Sequence, residues 1–268
     1  ANILIGKNLF IGGEIEESNK KIFIALGQLS KCLTMLPDDI ELLKKQMESY
    51  LFMSHNLELS KNYTEAFDNL SHGIECTRIL LQKTKEDIIL FEIGLFLLRK
   101  ARIARILNFQ SEHDKNLSES IKIFELFELK NVSYHGEVSF NLGQARLFKA
   151  TSLNIPSDQA VEELAYALEH IEHSFEVGIE RSARVFQIIC STSISIYNKS
   201  IKEGDLKTAF NSTLIASKSA ILSGTPEFFA TVLELISYWK FIKISEKSLK
   251  KLKEFEKILR EECKGYSA

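Results

Sequence analysis

Helical periodicity that is almost free of helix-breaking residues is the dominant feature of this sequence. From about residue 17 onward, apolar residues recur at spacings of three and four, which is typical of amphipathic helices. Three prolines and 12 glycines in 268 residues leave few positions that disfavour a helix. We therefore predict an all-α fold with a helix content above about two-thirds, where about one-third is usual, and essentially no sheet.

Ten helices are predicted, with an eleventh closing the chain, and their short connectors make neighbouring helices antiparallel. The predicted ranges are 17–35, 38–61, 63–82, 86–109, 116–130, 134–153, 157–175, 178–203, 205–223, 226–243 and 246–263. Gly6, Gly12 and Gly13 disfavour a helix near the start, so residues 1–16 are predicted to be an extended lead or linker. Residues 17–268 are predicted to form one helical-repeat domain. Because the sequence starts at Ala1 rather than Met, we interpret it as part of a larger protein.

A small–large–small pattern recurs in the second helix of successive helix pairs. It is found as Ala66-x3-Leu70-x2-Gly73, Ala160-x3-Leu164-x2-Ala167 and Ala209-x3-Thr213-x2-Ala216, with weaker copies Ser120-x3-Phe124-x2-Phe127 and Ser248-x3-Leu252-x2-Phe255. Offsets of four and seven place the three side chains on one helix face, where small residues let a partner helix approach closely. A unit of this kind buries its apolar face only by stacking on a neighbour, so the pattern indicates a helical-repeat array.

Two segments resemble the signature of tetratricopeptide repeats. In the segment from Ser139 to Arg146, Leu142-Gly143 matches the family's W-x2-L-G-x2-Y motif, while Ser139 and Arg146 stand where aromatic residues are expected. Ala160 and Leu164 match the family's A-x3-F motif, and the turn at residues 204–209 is similar to its inter-helix turn. The resemblance implies a right-handed α-solenoid of antiparallel helix hairpins whose first helices line a concave ligand groove.

The repeat spacing is irregular for that family. The small residues at 66, 120, 160, 209 and 248 are separated by 54, 40, 49 and 39 residues, whereas a tetratricopeptide unit has about 34. HEAT-like packing, with units of about 40–47 residues, remains an alternative description.

The net charge limits which partners we expect, and the cysteines indicate the cellular compartment. The formal net charge of −2 provides no field that would attract nucleic acid or an anionic membrane, and we expect neither as a partner. No signal peptide and no apolar run of about 18 residues is present. Four scattered cysteines (Cys32, Cys76, Cys190 and Cys263) are typical of buried thiols in a reducing compartment, which favours a cytoplasmic protein.

The sequence contains no recognisable catalytic motif, so we predict no enzymatic activity and no cofactor. It lacks a glycine-rich phosphate loop, G-x-S-x-G and H-E-x-x-H. His170 and His173 have the spacing of a metal-binding pair, but further ligands are not evident, and no metal site is predicted. A triad assembled in space would leave no sequence signal.

Two sets of residues are candidates for a binding groove. Arg99, Arg102 and Arg105 recur every three residues and could hold carboxylates, although pairing with glutamates such as Glu92 or Glu125 would equally account for them. The resemblance to tetratricopeptide repeats places Phe140, Gln144 and Phe148 on the ligand side of a first helix. Aromatic residues there would be binding anchors, and the alternative is that they belong to the core.

These observations lead to three functional hypotheses. The first is a protein- or peptide-binding scaffold or sensor module whose partner is acidic. The second is a receptor for a small ligand or short signalling peptide, which an enclosed pocket would favour and an open groove would oppose. The third, by analogy alone, is the carboxy-terminal sensor array of a bacterial signalling NTPase.

Overall fold

The structure is a computed structural model that describes residues 1–128, 135–152, 155–179, 182–242 and 244–265. It is 88% helical, and the described residues contain no strand, which confirms the predicted all-α fold and helix content. The helices are α1 (Asn2–Ile11), α2 (Ile15–Met35), α3 (Ile40–Leu59), α4 (Tyr63–Thr84), α5 (Asp87–Ile106), α6 (Gln110–Glu128), α7 (His135–Ala150), α8 (Ser157–Glu176), α9 (Ala183–Glu203), α10 (Leu206–Ser223), α11 (Pro226–Tyr238) and α12 (Glu246–Gly265). The predicted helix ends at 130, 134, 153 and 243 lie outside the described residues.

The chain divides into two compact units, residues 1–133 and 134–268, where the sequence predicted one domain over 17–268. Unit 1 contains α1–α6 and unit 2 contains α7–α12. In both units consecutive helices pack in pairs, α1 with α2, α3 with α4, and so on to α11 with α12. Each unit also has apolar clusters of its own, so each is a separate helical-repeat stack.

The prediction of an extended lead over residues 1–16 was wrong, because Asn2–Ile11 is the helix α1. Gly6 lies against α2, where a Cβ atom would approach Ile22 Cδ1 to 2.6 Å. The Ser18 hydroxyl donates to the Gly6 carbonyl at 2.7 Å. Glycine weakens a helix by about 0.5–1 kcal/mol relative to alanine, but here it permits a close contact that stabilises the pair.

The small–large–small pattern lies in the core, as predicted. On α4, α6, α8 and α10 its members are all buried: Ala66, Leu70, Gly73, Ser120, Phe124, Phe127, Ala160, Leu164, Ala167, Ala209, Thr213 and Ala216. A close fit is also found at Gly143 of α7, where an added Cβ would lie 2.6 Å from Ile171 Cγ1 and 3.1 Å from the Ala167 carbonyl oxygen. Small residues therefore set the distance between α7 and α8.

Capping residues define where several helices begin. Asp39 accepts a hydrogen bond from the Leu42 amide at 2.9 Å, and Asp205 accepts one from the Thr208 amide at 3.0 Å. These bonds satisfy amide groups that the first turn leaves without a partner. Gly204, immediately before Asp205, has a φ of +78°, so the α9–α10 turn uses the left-handed conformation that glycine adopts readily.

The Ala160→Leu substitution is expected to lower the free energy of unfolding by about 1–3 kcal/mol through overpacking. Ala160 is buried in the same apolar cluster as Leu147, Leu164 and Ile189. Ala165→Leu is the matched control, because Ala165 is exposed on the same helix. A thermal melt of Ala160→Leu that coincides with that of the wild type would contradict the repeat alignment.

A buried ion cluster joins α7 to α8 in unit 2. Glu163 accepts from Arg146 Nη1 at 2.8 Å through Oε2 and from Lys149 Nζ at 2.5 Å through Oε1. The guanidinium of Arg146 also lies 4.8 Å from the centre of the Tyr166 ring. Arg146 thus connects the two helices by charge.

Unit 2 ends in an aromatic cluster covered by α12. Trp239 is buried, its Nε1 donates to Thr213 Oγ1 at 2.9 Å, and its ring lies 5.2 Å from that of Phe210. Leu252 and Leu259 of α12 are buried in the same apolar cluster. The lysines at 250, 251, 253 and 257 are exposed, so α12 has one apolar and one charged side.

Candidate functional site

The three arginines of α5 lie at different angles around the helix. Residues in an α-helix are about 100° apart, so each three-residue step turns the side chain by about 60°. Arg99 and Arg102 are half-buried and lie toward α3, and Arg105 lies one further step around α5. The arginines are therefore in one unit but do not form a single straight stripe.

Arg99 lines a groove in unit 1. The groove is lined by Lys7 of α1, by Glu48, Leu51, Phe52 and His55 of α3, and by Arg99 of α5. We call it the α3–α5 groove; its volume is about 310 Å³ and it is open to solvent. The lining comes from α1, α3 and α5, which are the first helices of the three pairs in unit 1.

Arg99 is the basic group most available to a partner in this groove. It forms no ion pair in the described part of the chain. Burial lowers the pKa of Arg99, Glu58 opposes that shift, and the positive charge of Arg102 adds to it. A guanidinium that is partly desolvated and close to another cation gains strongly from an incoming carboxylate.

Arg102 is already paired within the protein. Its Nη2 donates to Oε2 of Glu58, whose side chain is mostly buried. The pair joins α3 to α5 at the edge of the groove. Arg102 therefore has a glutamate partner, as the alternative interpretation had it, but that partner is Glu58, which was not named from the sequence. Arg102 thus stabilises the packing of α3 against α5, the two helices that provide most of the groove's lining.

Aromatic rings form one side of the groove. Phe10 of α1 meets Phe52 edge to face at 5.4 Å and lies 5.8 Å from the His55 ring. Burial and the charge of Arg99 lower the pKa of His55, while Glu58 opposes that shift, so the imidazole is neutral at neutral pH. Lys7, 3.7 Å from Glu48, bridges α1 and α3 beside these rings.

The second predicted set lies on α7, in unit 2. Phe140, Gln144 and Phe148 are four residues apart along one side of the helix, and all three are half-buried. The Phe140 ring packs 6.2 Å from that of Phe175, so part of this side chain belongs to the core, as the alternative interpretation had it. We call these three residues the α7 surface.

Two further grooves are also open to solvent. One, of about 500 Å³, lies between α4 and α6 of unit 1, and its lining includes Arg78, Lys100 and Glu119. The other, of about 690 Å³, lies between α8 and α10 of unit 2 and includes Asp158 and Lys251. In the first, Arg78 Nη2 reaches Glu119 Oε1 at 2.6 Å, so its charges are largely satisfied internally.

The two buried cysteines are not activated as nucleophiles. Burial raises the pKa of the Cys76 thiol to about 11 and that of Cys190 to about 12, which keeps both protonated and poorly nucleophilic. Nowhere in the described ranges do three or more His, Cys, Asp or Glu side chains lie together as metal ligands. His173 instead lies 3.7 Å from Glu176 and stacks edge-on to His135.

Sequence reasoning missed the residues of the groove region other than the arginines: Lys7, Glu48, Leu51, Phe52, His55 and Glu58. Lys7 could not be placed because α1 was predicted to be extended. Phe52, His55 and Glu58 follow helical spacing on α3, but nothing local indicates that they face α5, more than 40 residues away. A search for partly polar residues on the first helix of each pair would have found them.

No family model and no curated protein matches this chain. Among solved structures, it is similar to the S. pombe nuclear import adaptor Nro1, a hypoxic regulator of sterol synthesis, at 12% identity and a TM-score of 0.43, covering 100% of this chain and 87% of that one. A circular tandem repeat protein is similar at 13% identity and a TM-score of 0.32, covering 98% of this chain and 75% of that one. The de novo designed helical repeat protein DHR64 is similar at 14% identity and a TM-score of 0.18, covering 84% of this chain and 93% of that one. With TM-scores below 0.5, these similarities carry no conclusion about function.

Within the described residues, no helix combines the length and apolar character needed to cross a membrane.

Proposed function

We propose that this chain is a protein- or peptide-binding helical-repeat module whose unit 1 binds a carboxylate-bearing segment in the α3–α5 groove. Arg99 carries this proposal: it is a half-buried guanidinium without an ion pair, located beside Phe52 and His55. A planar guanidinium can hold a carboxylate by two parallel hydrogen bonds. The neighbouring rings would provide apolar contact for an adjoining side chain.

The module as proposed is a scaffold or sensor without catalytic activity. For this module we propose tetratricopeptide-like, right-handed packing within each unit, a cytoplasmic location, and neither nucleic acid nor membrane as a partner. Phe140, Gln144 and Phe148 of the α7 surface are proposed as a second contact, made by unit 2. The sensor array of a bacterial signalling NTPase is one setting that fits such a module.

A receptor for a small ligand is the second candidate, and the shape of the grooves favours it less. Small-ligand sites are concave and bury most of the ligand's surface. The α3–α5 groove is open and shallow by comparison, which suits an extended peptide with side chains that dock at intervals.

The Arg99→Gln substitution is expected to weaken binding of an acidic, aromatic-containing peptide by about 10- to 100-fold, because it removes a charge-assisted pair while keeping a polar, unbranched side chain. The peptide used for the measurement would be the tightest binder that the wild-type protein selects from a phage-displayed peptide library. Wild-type affinity should also fall as salt rises. Calorimetry or fluorescence anisotropy would measure both effects.

Arg184→Gln is the control, since Arg184 is exposed on α9 in unit 2 and should leave affinity unchanged. Arg102→Gln separates binding from stability, because it breaks the pair with Glu58 and is expected to lower the melting temperature. Selection of peptides without carboxylates, or equal affinities for Arg99→Gln and wild type, would refute the proposed site.

A further inference from the structure

The outward side of α2 in unit 1 is apolar at its centre and charged at its ends. Six of its exposed residues lie at helical spacing on one side of the helix: Glu16, Lys20, Phe23, Ile24, Gly27 and Lys31. We call this set the α2 outer face. Phe23 is 70% exposed and Ile24 46%, although both are large apolar side chains. On α1, which pairs with α2, Leu4 is 65% exposed.

Such a face is unusual for the outer helix of a repeat stack. Outer helices of soluble repeat proteins generally present polar residues to water. Contiguous exposed apolar patches of this kind mark interaction surfaces. Gly27 adds an opening at the middle of the face, because a Cβ atom placed there would have no heavy atom within 4 Å.

The α2 outer face carries opposite charges at its two ends, so it is complementary to an antiparallel copy of itself. Glu16 lies near the start of α2 and Lys31 near its end, and in the described residues neither forms an ion pair. Lys20, by contrast, contacts Glu17 of its own helix at 3.2 Å. An antiparallel α2 would bring Glu16 of one copy opposite Lys31 of the other at both ends of the contact.

We propose that a second copy of this chain docks antiparallel on the α2 outer face and forms a two-fold symmetric dimer. The symmetry axis passes between Phe23 and Ile24, so these apolar residues meet at the centre. In the same register Glu16 lies opposite Lys31 of the second copy, and the stem of Lys20 lies over Gly27. A two-fold interface requires such self-complementarity, because the same patch serves both subunits.

Sedimentation velocity over a range of concentrations tests the dimer. The wild type is expected to shift from the mass of one chain to that of two as concentration rises. Gly27→Gln should weaken association at least about tenfold by blocking close approach. It should not lower the melting temperature, because the site has free space and glutamine favours a helix more than glycine.

Phe23→Ser is expected to weaken the dimer to a similar extent. Phe241→Ser is its control, because Phe241 is 89% exposed but belongs to unit 2. A wild type that keeps the mass of one chain at every concentration would overturn the proposal. Loss of binding to phosphatidylcholine vesicles in Phe23→Ser, without any dimer in the wild type, would assign the face to lipid instead.

Charge reversal tests the register of the two copies. Glu16→Lys alone should weaken the dimer roughly five- to tenfold, since it turns two symmetric attractions into repulsions. Glu16→Lys combined with Lys31→Glu should restore wild-type association. A double variant as weak as the single one would rule out the antiparallel pairing. Arg99→Gln should leave the dimer intact, so this test is independent of the proposed peptide site.

Discussion

Glu163→Ala is expected to cost about 3–5 kcal/mol of unfolding free energy, because it leaves a buried guanidinium without its carboxylate. The side chains of Arg146 and Glu163 are 15% and 11% exposed, so solvent compensates little for the loss. Lys149 is more exposed and should contribute less. Urea unfolding followed by circular dichroism would measure the difference.

Glu162→Ala is the matched control, since Glu162 precedes Glu163 on α8 and is exposed. It should change stability by less than about 0.5 kcal/mol. Equal effects of the two substitutions would show that the ion cluster contributes nothing beyond the helix itself.

Loss of the apolar side of α12 is expected to destabilise unit 2 strongly. Leu259→Ala should cost about 2–5 kcal/mol, because Leu259 is fully buried and its truncation leaves a cavity. Ile258→Ala is the control at the neighbouring position, which is 39% exposed. Denaturant midpoints of the two variants give the comparison directly.

Deleting residues 246–268 extends the same argument to the whole helix. It would expose Trp239 and Val232, which share the apolar cluster with α12, and aggregation is the expected result. Light scattering after expression would detect it. A soluble truncation that melts at the wild-type temperature would show that α12 does not act as a cap.

Local patterns in the sequence were sufficient to predict most helices and the faces they bury. Ala66, Ala160 and Ala209 are buried as expected because helical spacing alone places them on the packed side. Asp39 and Asp205 cap their helices because capping depends on residues only three positions apart. These features need no information from distant parts of the chain.

Features that depend on tertiary packing could not be predicted in this way. Glycine at position 6 locally disfavours a helix, yet a glycine is favoured there because a Cβ atom would clash with Ile22 of the packed helix α2. Arg102 and Glu58 are separated by 44 positions, so no local spacing could identify their pairing. Arg99 was identified as a candidate, but its aromatic neighbours on α1 and α3 became evident only from the arrangement of those helices.

The burial of Trp239 gives this protein an internal spectroscopic reporter. It is the single tryptophan of the sequence, and it lies in the core of unit 2. Its fluorescence therefore follows the melting of that unit alone, whereas far-ultraviolet dichroism follows the helices of both. Recording the two signals in one denaturant titration distinguishes a single cooperative transition, in which the curves coincide, from sequential loss of the two halves, in which they separate.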